Sequence, residues 1–489
     1  MTVPRDIPVE DFRRAGTRVI DWITRYLSHP EEYPVLAKVT PNEVRNGLPA
    51  SAPRSGESMD AILDDFEKIV VPGITHWNHP CFFAYFSITG SAPGILGELL
   101  SAALNVNGML WQTSPSATEL EEVAVGWLRQ LLGLPEELEG VIMDTASVST
   151  LCAIAAARQA LSDLEIREQG MAGRPELPRL CLYTSDEAHS SVEKAAITLG
   201  LGRASVRKIV TDDEFRMDVG ELRRAISADR AAGHRPFCVV ATVGTTRTTS
   251  IDPVPAIAEV CKREGLWLHV DAAYAGSAAA VPEHREVLAG CGEADSIVVN
   301  PHKWLFTPID CSVFYVREPD TLTAAFSLIP EYLRTGVDDE VRNYMDWGVS
   351  LGRRFRALKL WMVLRAFGSD GIAERLREHI RLAQDFAARI DDHPDFERLA
   401  PTPLSVVCFR ACPSALSAHE ADATLNRFNE TLLERLNASG EVYLSHTNLA
   451  GRCALRLAIG NLRTTERHVA RAWELIQEVS GVLVKEGAG

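Results

Sequence analysis

The chain has 489 residues, 46% hydrophobic and 24% charged, values near the globular average that exclude wholesale disorder and fibrous classes. At about 100–200 residues per domain, this length predicts two to four units. The balance of 50 basic against 66 acidic residues leaves a formal charge of −16, which lacks the basic footprint of nucleic-acid binding and is repelled by anionic membrane surfaces.

From the N-terminus, MTVPRDIPVEDFRRAG has no apolar run of an export signal, and no later stretch approaches the roughly 20 apolar residues of a membrane helix. Between Val9 and Leu27, apolar Phe12, Val19, Ile20, Ile23 and Leu27 recur at helical spacing. Such a stripe needs a partner, and in an N-terminal extension the expected partner is a second subunit. Residues 1–84 are therefore read as a helical dimerisation segment.

From about 120 to 320, short apolar runs alternate with helical segments. PRLCLYT, ASVRKIV, PFCVVATV, LWLHVD, SIVVN and CSVFYV read as strands; HSSVEKAAITLG, DVGELRRAISA and PVPAIAEVCKRE read as helices. Fully apolar strands alternating with helices predict a mostly parallel sheet covered on both faces, with ligands beyond the carboxyl ends of its strands. This large α/β domain is placed at 85–368. After the turn-like Gly368-Ser369-Asp370-Gly371 come a helix, the strands LSVVCFRA and CALRLAIG, and a helix from Thr465 to about Lys485, a smaller α+β domain at 369–489. Ten scattered cysteines, with no CxxC pair and no zinc spacing, read as small buried hydrophobes in a reducing cytoplasm. No metal site is expected, since His76 and His79 lack further ligands at the right spacing.

Three polar residues close or follow apolar strands: Asp271 in LWLHVD, Asn300 in SIVVN and Lys303 in NPHKW. One reading is a structural Asp–Lys ion pair. The other is the division of labour in pyridoxal phosphate enzymes, where a lysine holds the aldehyde reversibly and a carboxylate keeps the ring nitrogen protonated. The phosphate then needs free N–H groups at a helix start, which Thr145-Ala146-Ser147 offers after GVIM; a plain Ser or Thr cap explains the same residues. His189, between strand and helix, is either a structural histidine or a flat ring stacked on a cofactor. Thr245-Thr246 closes a strand, with turn formation at Gly244 an equal explanation.

As a set, HSSVEKAA, TVGTT, LHVDAAYAGSA and NPHKW resemble the group II pyridoxal phosphate-dependent decarboxylases, and within them the aromatic-L-amino-acid decarboxylases. The likeness runs from THWNHPCFFAYF through WQTSPSATELEEVAVGWL and LGRRFRALKLW to LRLAIGNLRT, nearly the whole chain, with the lysine 32 residues after the aspartate. The resemblance implies the aspartate-aminotransferase-like fold (fold type I) and a homodimer with the site at the subunit interface. It implies that Lys303 holds pyridoxal 5'-phosphate, Asp271 pairs with its ring nitrogen, and His189 and Ala273 pack on its two faces. Ala146 and Ser147 bind phosphate, with Asn300, Thr246 and His302 near the cofactor. Tyr332, in SLIPEYLRTGVDDEV, matches a loop tyrosine that protonates the substrate carbon after CO2 leaves; Pro330, Gly336 and three consecutive acids agree with an exposed loop. Relatives with Phe there resemble aldehyde synthases, so Tyr332 with His189 favours plain decarboxylation.

Trp77, Tyr85 and Phe86 match the family's aromatic substrate wall, and Gly352 a position where glycine accompanies indole substrates. The implied substrates are tryptophan-, phenylalanine-, tyrosine- or DOPA-like amino acids. Ile88 replaces a threonine that touches catechols, and Asp144 replaces the glycine of the usual Gly-Ser-Ala-Ser phosphate segment, an acid whose side chain must point away. Arg456 can meet the substrate carboxylate, but a surface-strand arginine is the expectation. An acidic-substrate decarboxylase is the alternative within the same chemistry. Gly348-Val349-Ser350-Leu351-Gly352 is a formal GxSxG, but a serine hydrolase needs a strand before it and a helix opening at the serine.

Overall fold

A computed structural model of the chain describes residues 6–328, 340–417 and 422–487. Seven strands, β1 (Glu139–Met143), β2 (Leu180–Ser185), β3 (Val206–Ile209), β4 (Arg235–Thr242), β5 (Trp267–Asp271), β6 (Ser296–Val299) and β7 (Ser312–Val316), form one sheet. Their order is β1-β7-β6-β5-β4-β2-β3. Only β7 runs against the rest, so the sheet is mostly parallel, as expected. The apolar runs follow from burial on both faces. Val239 and Ala241 pack into one core layer, while Cys238 and Val240, one residue out of phase, pack into the other.

A second sheet, β8 (Phe396–Arg398), β9 (Val406–Ala411), β10 (Ser445–Leu449) and β11 (Arg452–Ala458), is antiparallel in the order β10-β11-β9-β8. The expected turn at Gly368 lies inside the helical span Ala357–Asp391, where Gly368 takes φ 65° and ψ 171° and breaks the helix in two. That left-handed backbone region favours glycine. The core of this sheet also takes in Val35 and Cys81–Ala84; Phe83 N–H donates to Tyr443 O (2.8 Å) and Ala458 N–H to Phe83 O (2.9 Å). This pairing carries Tyr85 and Phe86 alongside β11.

The helix Val9–Ser28 forms where the apolar spacing places it, yet Ala15 is its one buried residue. Val9, Phe12 and Ile20 face solvent, as do Leu96, Leu99, Leu100 and Leu104 on the helix Ala92–Leu104. No helix among the described residues is long and apolar enough to cross a membrane.

Four buried histidines make the fold sensitive to acid. Burial pushes His79, His269, His302 and His379 down to about 4. In three of them Nδ1 already accepts a proton donor: Cys81 N–H (3.0 Å) at His79, Cys311 N–H (2.9 Å) at His302 and Trp304 Nε1–H (3.0 Å) at His379. Unfolded imidazoles titrate near 6.5, so between that value and 4 the unfolded chain holds more protons, and stability falls as pH falls. From about pH 7.5 to 5.5 the loss is about 1 kcal/mol per histidine, above the range where most carboxylates titrate. Urea midpoints across that window are expected to drop steadily; a level profile would contradict these assignments.

Candidate active site

With β7 alone reversed, the carboxyl ends of β1, β2, β4, β5 and β6 share one edge of the sheet. Each expected cofactor residue follows one of them: Ala146 and Ser147 after β1, His189 after β2, Thr246 after β4, Asp271 and Ala273 at the end of β5, and Asn300, His302 and Lys303 after β6. All nine line a single cavity, together with Phe86, Thr242, Gly244 and Tyr274. Its volume of about 160 Å3 is several times the roughly 30 Å3 share of one water, so the space suits a ligand rather than a solvent molecule.

Lys303 sits in the short helix Pro301–Trp304, its amine 5.3 Å from the centre of the Phe86 ring. Burial drives its pKa below the ordinary lysine value, with Arg456 adding repulsion and Asp271 opposing the shift. Such an amine is more readily neutral, the form that attacks a carbonyl. Asp271 is buried and its Oδ1 accepts the Ala273 N–H (3.1 Å). His189 Nδ1 accepts the Ser191 N–H (3.2 Å) and lies 3.0 Å from Ser191 Oγ, which fixes the ring; burial holds its pKa below the usual value despite Asp271.

The helix Ala146–Gln159 has no side-chain cap at Thr145, whose carbonyl accepts the N–H groups of Val148 (3.0 Å) and Ser149 (3.1 Å). Its first N–H groups, at Ala146 and Ser147, have no helical acceptor and line the cavity. Thr242 Oγ1 and Asn300 Oδ1 are buried without a partner among the described residues. Uncapped donors, orphaned polar atoms, a partly buried lysine and a buried carboxylate together fit a phosphorylated aldehyde with a basic ring. At Gly244, φ is 89° and an added Cβ would lie 2.5 Å from that of Ala275, so no other residue fits this turn. Thr245 turns inward to Thr248 Oγ1 (3.0 Å), and Thr246 faces the cavity.

Several features lie beyond the expected set. Phe86 stacks on Tyr274 (3.8 Å between ring centres), which stacks on Trp304 (4.7 Å), forming a rigid floor beside Lys303. Asp252 accepts the N–H groups of Thr242 (2.8 Å) and Met217 (2.7 Å) and pins the end of β4; burial raises its pKa to about 6. Tyr274 was recoverable from its place just after Asp271, whereas Trp304 and Asp252 carry no signal apart from the fold.

The surface position expected for Arg456 is overturned. It is 3% exposed on β11, its guanidinium 4.7 Å from the Phe86 ring centre. It donates to Arg247 O (3.1 Å) and to Tyr85 O, and Nη2 has no partner among the described residues. Alternation along a strand cannot reveal burial when both of its faces are covered: Leu455 and Leu457 pack into one core, Ala454 and Ala458 into the other. The GxSxG reading is also excluded: a single turn of helix, Tyr344–Trp347, precedes it rather than a strand, and the next helix opens only at Ala357.

Trp77 stacks on Tyr85 (5.8 Å, 18°), whose hydroxyl lies 3.2 Å from that of Tyr443. Neither lines the cavity within one chain. Gly352 lines a separate recess with Asp144 and Arg356. Tyr332 lies outside the described residues.

A profile described as the pyridoxal-dependent decarboxylase conserved domain matches residues 41–412. Tyrosine decarboxylase 4 of Petroselinum crispum is 42% identical over 98% of this chain and 94% of its own. Phenylacetaldehyde synthase of Arabidopsis thaliana is 41% identical over 97% of each chain. The crystal structure of Oryza sativa TDC with PLP and tryptamine superposes with a TM-score of 0.94 at 39% identity, covering 99% of this chain and 100% of that one.

Proposed function

The chain belongs to the pyridoxal-dependent decarboxylase family, and from that premise we propose that it converts aromatic L-amino acids to arylalkylamines and CO2. The observation that carries this reading is the convergence of Lys303, Asp271, His189 and an uncapped helix N-terminus on one cavity floored by stacked aromatics. Pyridoxal phosphate, when bound, supplies an aldehyde that takes up the substrate nitrogen and a ring that accepts the electron pair left by departing CO2.

Lys303 would hold the cofactor's aldehyde, its amine shifted by desolvation toward the neutral, bond-forming form. Asp271 holds a proton on the ring nitrogen. Ala146 and Ser147 N–H groups grip the phosphate, with Thr246, Asn300 and His302 beside it, and His189 and Ala273 confine the ring plane. Trp77, Tyr85, Phe86 and Gly352 shape the aromatic end. Arg456 orients the incoming carboxylate through Nη2, while the Phe86 wall excludes water and disfavours charge, helping neutral CO2 to leave. Tyr332 returns a proton to the α-carbon.

The exposed apolar faces of the helices Val9–Ser28 and Ala92–Leu104 support a homodimer, whose second chain would complete a site that Gly352 does not reach within one. All ten cysteines are free, which supports a cytoplasmic setting. The units at 1–84, 85–368 and 369–489 are retained as proposed domains.

The deciding assay measures amine release from tryptophan, phenylalanine, tyrosine, DOPA and glutamate side by side. Aromatic substrates are expected to react and glutamate to fail; glutamate as the best substrate would overturn the reading. In the same assay Tyr332→Phe is expected to cut amine yield by about 10²–10⁴, and an unchanged yield would remove Tyr332 from the mechanism.

A further inference from the structure

Asp144 stands two residues before Ala146, on the strand side of the N-terminus that is to receive a phosphate dianion. A carboxylate there repels that phosphate and is itself attracted by the free N–H groups and the helix dipole. The backbone offers no strain to explain it, because Asp144 is not among the residues with positive φ.

Its side chain is turned out of the cofactor cavity into a neighbouring recess, where Asp144 Oδ1 lies 3.4 Å from Arg356 Nη2. Arg356 is itself 12% exposed in its side chain and grips a second carboxylate in fork fashion, Nε to Asp310 Oδ1 at 2.8 Å and Nη2 to Asp310 Oδ2 at 3.3 Å. Asp310 precedes Cys311, whose N–H donates to His302 Nδ1 (2.9 Å) next to Lys303. One guanidinium, mostly shielded from solvent, therefore spans the turn before the phosphate site and the loop behind the lysine. No other cation is paired with Asp144 among the described residues.

We propose that Arg356 is a positioning residue for the cofactor phosphate, holding the Asp144 carboxylate away from the N-terminus of the helix Ala146–Gln159 so that the two N–H groups stay open to phosphate. Without Arg356, Asp144 turns toward that N-terminus and competes with the phosphate. This rests on the cofactor reading above and adds to it a residue of this chain's own departure from the family's glycine.

The test is titration of pyridoxal phosphate, and separately of unphosphorylated pyridoxal, into the full chain freed of cofactor, followed by absorbance. Arg356→Met is expected to weaken pyridoxal phosphate about tenfold, equal to about 1.4 kcal/mol, and to leave pyridoxal within about twofold. Adding Asp144→Asn to Arg356→Met is expected to restore pyridoxal phosphate binding to near the parent value. Equal losses for both ligands, no loss at all, or no recovery on removing the Asp144 charge would each overturn the proposal. Should Arg356→Met not fold, Arg356→Lys, which keeps the charge but cannot fork across two carboxylates, is expected to move in the same direction with the same recovery. A parent chain that takes up no pyridoxal phosphate brings down the cofactor reading itself, an outcome distinct from those three.

Discussion

Lys303→Ala is expected to abolish covalent cofactor retention and to lower amine production by a factor on the order of 10⁴–10⁶, the scale set by deleting a covalent nucleophile. The amine is partly buried beside the cavity, and desolvation shifts it toward its neutral form. It is thus more readily neutral than an ordinary lysine and costlier to leave charged. The readout is peptide mass spectrometry after borohydride reduction of the loaded chain. The cofactor mass should appear on the peptide carrying Lys303 in the parent and nowhere in the variant. Cofactor found on a different lysine would sink the assignment. Removing a desolvated amine relieves the cost of keeping it charged, so Lys303→Met without cofactor is expected to melt no lower than the parent. A large drop in Tm would mean that the lysine is instead a structural partner of Asp271.

Asp271→Asn is the second large effect. The amide can still accept the Ala273 N–H now bound by Oδ1 (3.1 Å), so the end of β5 should keep its shape. What it loses is the negative charge that holds a proton on the ring nitrogen. Loss of one preorganised electrostatic partner in a dry site costs about 10²–10³ in kcat, and that is the expected fall, with phosphate binding at Ala146 and Ser147 retained. An Asn variant with parental kcat would show that ring protonation is maintained by some other group. Asp271→Ala is expected to fall further, because it also leaves the Ala273 N–H without its acceptor.

Legibility differed between parts of the site for physical reasons. Lys303, Asp271 and Asn300 stood out because ionisable or amide groups at the ends of fully apolar strands are expensive unless used. Ala146 and Ser147 were legible only as a helix start; that the N-terminus is uncapped, and so open to a phosphate, is a fact of side-chain rotamers. Arg456 misled because a strand arginine reads as surface when the second covering layer comes from residues 81–86, far away in the chain. Gly352 lies in a recess apart from the cavity, which its place in the sequence does not reveal.

Local composition, acting alone, marked the central strands β2, β4, β5, β6 and β7, which are buried almost throughout, whereas the half-exposed β10 carries no such signal. Residues flanked by core on both sides must be apolar throughout, and the polar group that ends such a run marks where the chain meets a ligand. It also marked the break at Gly368, where a φ of 65° with ψ 171° is open to glycine without strain. Tertiary structure alone decided that five strand ends meet at one cavity, because adjacency depends on the order β1-β7-β6-β5-β4-β2-β3, which no local propensity encodes. The same is true of Asp144. Its charge is visible in the sequence, but the direction in which it points depends on Arg356, brought within 3.4 Å by packing between distant elements.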